Sequence, residues 1–133
     1  MSPRRSVTYI VDGTPRPKGS RVSGVTKTGI RYNRESNPRA TEWLKAAKEQ
    51  LRDLHRVGPL LPPYQVVLTF YFAEPKSNPS WPRSGDVDKY SRNVLDALTQ
   101  SSVIEDDRHV IELSAVKRYG SPRTEITVHE AGT

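Results

Sequence analysis

The chain of 133 residues contains no cysteine and a single methionine. Without cysteine there is no disulfide scaffold and no thiolate metal site. Histidine is scarce too: His55, His109 and His129 are scattered and do not group as ligands. Long hydrophobic runs are missing, so neither a signal peptide nor a spanning helix is expected. No membrane partner follows, and a cytoplasmic setting is expected. The hydrophobic fraction is 34%. A domain of this length can bury only a thin core, and association with a second copy would help it.

Acid is outweighed by base. Twenty-one lysines and arginines face 15 aspartates and glutamates, for a net charge of +6. That balance favours polyanionic partners, because each neutralised phosphate releases a counterion.

Residues 7–11 are β-branched and aromatic and predict a strand, ended by the turn signal Asp12-Gly13. Residues 14–33 are rich in Gly, Lys and Arg, and suggest an irregular hairpin or an extended loop. Asn37-Pro38 starts a helix, with Trp43, Leu44, Ala47, Leu51 and Leu54 at helical spacing as far as His55. Gly58 and Pro62-Pro63 stop it. Residues 64–72 form the clearest strand, and 73–85 a Pro/Ser/Arg-rich loop. Residues 86–99 form a second helix with Val87, Val94, Leu95 and Leu98 on one stripe. Strands at 109–119 and 123–130 flank the turn Gly120-Ser121-Pro122. The expected fold is α/β: a single small domain over 1–133, with a mixed sheet and two main helices.

In this basic chain the acid is concentrated. Asp86 and Asp88 precede or begin the second helix, and Glu105-Asp106-Asp107 follows it. Ser84-Gly85 implies that Asp86 is extended or caps the helix, with Asp88 in the first turn. Capping alone can account for that pair, and a solvated turn can account for the second group. If Asp86, Asp88 and Asp107 converge, however, each pair at about 4 Å repels by roughly 4 kcal/mol at an effective dielectric of about 20. Such a site needs a cation. Hard oxygen donors suit Mg²⁺ or Mn²⁺ and not zinc. The chemistry that fits is phosphodiester hydrolysis, with Lys89 or Arg92 steadying charge in the transition state. The Asp88–Arg92 spacing equally suits an ordinary ion pair along the helix. The turn between helix and strand is expected to bring the two acid groups together.

Arg16, Lys18, Arg21, Lys27, Arg31 and Arg34 form a basic stretch expected on DNA phosphates, and Arg83 is expected next to the cleavage point. Trp43 is expected in the core. Trp81, among prolines, is the candidate for exposure. Lys117, Arg118 and Arg123 read as surface charge.

The segment Gly85-Asp86-Val87-Asp88-Lys89-Tyr90-Ser91-Arg92-Asn93-Val94-Leu95-Asp96-Ala97-Leu98, followed by Val103-Ile104-Glu105-Asp106-Asp107, resembles the RusA family of Holliday-junction resolvases. That family is common in phages and prophages. Gly13-Thr14-Pro15-Arg16-Pro17-Lys18-Gly19-Ser20-Arg21 is similar to its basic N-terminal segment. The resemblance implies a RusA-like homodimer in a bacterial or phage-infected cell, four-way junction DNA as substrate, Mg²⁺ dependence, paired nicks and no small-molecule cofactor. It implies Asp86, Asp88 and Asp107 as metal-binding acids, with Asp106 as a fourth. The family's helix lysine falls at Arg92, and its usual Asn at Lys89, so the basic role stays open between Lys89 and Arg92.

Overall fold

The computed structural model describes residues 4–19, 21–35, 37–77 and 80–132, without the side chains of residues 21, 22, 34 and 35. The elements in chain order are β1 (Ser6–Asp12), β2 (Arg21–Val25), β3 (Arg31–Glu35), α1 (Pro38–Leu54), β4 (Tyr64–Phe72), α2 (Val87–Gln100), β5 (Val110–Tyr119) and β6 (Arg123–Glu130). The main sheet has the order β1-β6-β4-β5. β4 is antiparallel to β6 and parallel to β5. The sheet is therefore mixed, as expected for this α/β chain.

Alternation decides which face is covered. Tyr64, Val66, Leu68, Phe70 and Phe72 of β4 are buried, as are Ile126 and Val128 of β6 and Tyr9 and Val11 of β1. Their neighbours in sequence face the other side. Both helices pack on the buried face. α1 contributes Ala40, Trp43, Ala47 and Leu51, spaced three or four apart so that they form one stripe. α2 contributes Tyr90, Val94, Ala97 and Leu98. Each large side chain removed from water here stabilises the fold by about 1.5–3 kcal/mol. Residues 21–35, expected to be irregular, form a regular antiparallel hairpin apart from the main sheet. Gly29, at a φ of 86°, makes the tight turn that this requires.

A buried acid locks the start of β1 to the end of β6. The Glu130 side chain is only 6% exposed and pairs with Arg5 at 2.9 Å. It also accepts the backbone N–H groups of Arg5 and Leu61. The Arg5 guanidinium, ahead of the backbone donors, holds the carboxyl down at about 2. Because the folded-state value is depressed, this stabilisation is present above about pH 4.5 and fades as the pH falls towards 2. Allowing for the solvent that reaches Arg5, it is worth about 2 kcal/mol at neutral pH. Glu130→Gln is accordingly expected to lower the melting temperature at pH 7 and to show a much smaller deficit at pH 3. Equal deficits at both pH values would reject the ion pair as the cause.

Candidate active site and nucleic-acid interface

Gly85 sets up the helix that bears the acids. It has a φ of 65°, and a side chain there would meet the Tyr90 ring at 2.7 Å. Tyr90 stacks against Phe70 and Phe72 and donates its hydroxyl to the Ser84 carbonyl. The chain thus turns sharply onto the sheet just before α2. Asp86 is the N-cap residue, extended at φ −92° and ψ 134°, yet its carboxylate makes no cap hydrogen bond. Asp88 lies in the first turn and is exposed. Among the described residues no ion pair joins Asp88 to Arg92. Neither carboxylate is therefore engaged in a side-chain cap or a helix-face ion pair, and Asp88 keeps only the modest gain of an acid in a first turn. Arg92 is exposed and Lys89 half-buried on the same helix.

Asp107 sits elsewhere. Tyr64 accepts the Glu105 N–H at 3.1 Å through its hydroxyl, and Val103 and Ile104 are buried. That anchors the turn after α2, and Asp107 opens a short 3₁₀ turn leading into β5. Asp106 caps this turn, accepting the Arg108 N–H at 3.0 Å. Hydrogen bonding to Asp106, then burial and the charges of Asp106 and Asp96, push the Asp107 carboxyl up. The Arg108 N–H and the bond to Asp107 hold Asp106 down. Negative charge is crowded here.

The expected meeting of Asp86 and Asp88 with Asp107 does not occur within one chain. β4, α2 and β5 form a crossover whose strands are parallel, so α2 runs back along both. A reversal after α2 sets the helix end, not its start, beside the start of β5. The 14 residues of α2 rise about 1.5 Å each, so its two ends lie roughly 20 Å apart. Among the described residues no group of three acids or histidines could hold a metal ion.

The same geometry brings an unexpected residue to Asp86. Lys117, near the end of β5, donates its ammonium to the carbonyls of Ser84 and Gly85 at 3.1 and 3.0 Å. Read as surface charge, it is instead the clamp on the turn that presents Asp86. The signal was in its parity: Lys117 shares a strand face with Leu113 and Ala115, and pairs with the buried Phe70.

The basic segment is fastened along α2. The buried Asn93 donates to the carbonyls of Arg16 and Ala40, Asn37 donates to Pro17, and the Lys18 N–H donates to Lys89 O. Lys18 Nζ lies 2.6 Å from Asp96 Oδ2. Its charge is matched by Asp96, not left free for a phosphate as expected. Lys27 and Arg31 are exposed on the β2–β3 hairpin, and Arg83 is exposed beside the Asp86 turn. The side chains of Arg21 and Arg34 lie outside the described residues. No described helix is long and apolar enough to cross a membrane.

Carboxylates left unspent within a strongly basic surface are what metal-assisted cutting of nucleic-acid backbone needs, and the protein falls in the class of small nucleases. The family model described as Endodeoxyribonuclease RusA matches residues 11–129, and the chain belongs to that family. It is thus a hydrolase, an endodeoxyribonuclease of the Holliday-junction resolvase type. No curated protein matches the chain.

Residues that orient a ligand from behind commonly change metal affinity or activity by about 10–100-fold when removed. Lys117→Met is expected to do so here. A metal titration of the nicking rate should show a raised metal requirement with DNA binding little changed. An unaltered titration would leave Lys117 with a purely structural part.

Proposed function

We propose that the protein resolves four-way DNA junctions by paired, metal-dependent nicks during recombination and repair, acting over residues 1–133 as one domain of a homodimer. The observation that carries this is the pair of unengaged carboxylates at Asp86 and Asp88, at the motif positions of a RusA-family chain. Asp86, Asp88 and Asp107 offer hard oxygen donors, which fit Mg²⁺ with Mn²⁺ as substitute. Asp106 is the weaker fourth, because its carboxylate already caps a turn. When bound, the metal supplies polarisation of the scissile phosphate and a hydroxide at neutral pH. The protein's side chains do the rest. Arg92 and Lys89 face the phosphate and steady its developing charge. Lys27, Arg31 and Arg83, with Arg16, Arg21 and Arg34, hold the arms of the junction by their phosphates. Lys18 stiffens the segment that carries them.

A second copy completes the acid set. Among the described residues β5 is an edge strand, paired only with β4. It exposes Ile111 at 66% and Leu113 at 44%, where an unpartnered edge ordinarily carries charge. Two copies of β5 paired antiparallel about a two-fold axis set the start of one strand against the end of the other. Asp107 of one chain then faces the partner's Asp86 turn, which Lys117 marks in each chain. Two such sites, related by two-fold symmetry, match a substrate that needs two symmetric cuts.

The test is a synthetic mobile four-way junction with mapped nicks, run beside a linear duplex and a flap. Symmetric nicks in the junction in Mg²⁺, lost on chelation, are expected. Equal cutting of the flap would shift the substrate to branched DNA at large. Inactivity in Mg²⁺ and Mn²⁺ alike would leave a DNA-binding module.

A further inference from the structure

The loop before α2 carries a feature that phosphate contacts and metal chemistry leave unused. Of the two tryptophans, Trp43 is buried at 7% exposure, whereas Trp81 is 57% exposed. A free loop would let so large an apolar ring fold against the nearest surface. Trp81 is instead braced. The Arg83 guanidinium lies 4.6 Å from its ring centroid. Its carbonyl accepts the Tyr119 hydroxyl at 2.9 Å. Three residues further on, Lys117 clamps the carbonyls of Ser84 and Gly85. Beneath the loop runs a cleft of about 370 Å³, walled by Phe72, Pro75, Pro82, Arg83 and Tyr119. An indole held out of the core, next in sequence to residues that wall an apolar cleft and five residues before Asp86, suits a flat aromatic ligand. In the DNA that such a site cuts, that ligand is a base.

We propose that Trp81, backed by Arg83, stacks on a nucleobase unstacked at the branch point, beside the phosphate presented to Asp86. Continuous duplex keeps its bases stacked and offers no such face. At a crossover the strands exchange between helices, so drawing one base out of its stack there costs less than inside a continuous duplex. Base–aromatic stacking tolerates any sequence, because every base has a π-face. Arg83 adds a cation on the indole and supplies charge for the neighbouring phosphate. Trp81 would thus contribute discrimination in favour of branched over linear DNA. The proposal rests on the endonuclease reading of Asp86 and Asp88.

The test uses a four-way junction with 2-aminopurine at the crossover, bound in Mg²⁺ by protein carrying Asp88→Asn so that no strand is cut. Binding is expected to quench the 2-aminopurine, as the probe stacks on the indole. Adding Trp81→Ala should abolish the quench and weaken junction binding about tenfold, leaving linear-duplex binding unchanged. Trp81→Phe should restore part of both. The emission of Trp43, which stays in the core, reports that the variants are folded. An undiminished quench in Trp81→Ala, or equal losses on junction and duplex, would overturn the proposal. Cleavage separates this from the reading beneath it. A parent protein that cuts no branched DNA removes the endonuclease reading. A parent that cuts junctions, alongside a Trp81→Ala variant with the same preference over duplex, removes only the role of Trp81.

Discussion

Asp88→Asn is expected to lower junction nicking roughly a thousandfold or more, which corresponds to about 4 kcal/mol of lost transition-state stabilisation. Its carboxylate has no other work in the fold: it is exposed in the first turn of α2, without an ion pair among the described residues. Stability should therefore change little, apart from the few tenths of a kcal/mol that an acid gains from the helix dipole. Binding of the junction should hold or tighten, because the substitution removes a negative charge that faces phosphate. Gel-shift and nicking assays on one preparation resolve the two effects. If the variant nicks at the parental rate in Mg²⁺, Asp88 is not a metal ligand.

The second large effect concerns how the acids are shared. Asp88→Asn and Asp107→Asn proteins should each be inactive alone, and activity should return when they are mixed and their subunits exchange. In a mixed dimer with sites shared between chains, one site collects both substitutions and the other collects neither. Half of the dimers are mixed and each has one working site, so roughly a quarter of the parental nicking should reappear, as single nicks and not paired cuts. If every site were built within one chain, mixing would restore nothing. Demonstrated subunit exchange without recovered nicking would therefore reject the shared site, while leaving Asp88 and Asp107 as ligands to be placed anew. Disrupting the β5 edge with Leu113→Lys should reduce recovery and parental activity together.

Much of this architecture was legible before any coordinates. The Val, Thr and aromatic content of 64–72 and the alternation in 109–119 marked strands, and Pro38 and the leucine spacing marked α1, because burial on one face leaves its period in the sequence. Gly85 and the two aspartates marked the start of α2. Strand direction was not legible, since the same residues suit parallel or antiparallel pairing. That omission is what misplaced Asp107. Parallel β4 and β5 force α2 to span the sheet, and the acids it separates look adjacent only along the chain. Lys117 escaped notice for a related reason: a lysine in an alternating strand reads as solvent-facing unless the strand's inner face is known. Lys18 read as free cation because Asp96, far along the chain, gave no local sign of pairing with it. At 21–35 a hairpin was one of two readings, and its regular pairing was hidden by polar composition, which carries no core-facing stripe.

Only one side of the main sheet lies under helices. The other presents Ser6, Thr8, Gln65, Thr127 and His129, tied mainly by hydroxyl contacts such as Thr8 to Thr127 at 3.0 Å. With no competing thiol anywhere in the sequence, Thr8→Cys would be a unique attachment point on that bare side, remote from α2 and the β5 edge. A dye or a surface tether placed there would let single molecules be watched as they engage and release a branch, with the working parts of the protein untouched.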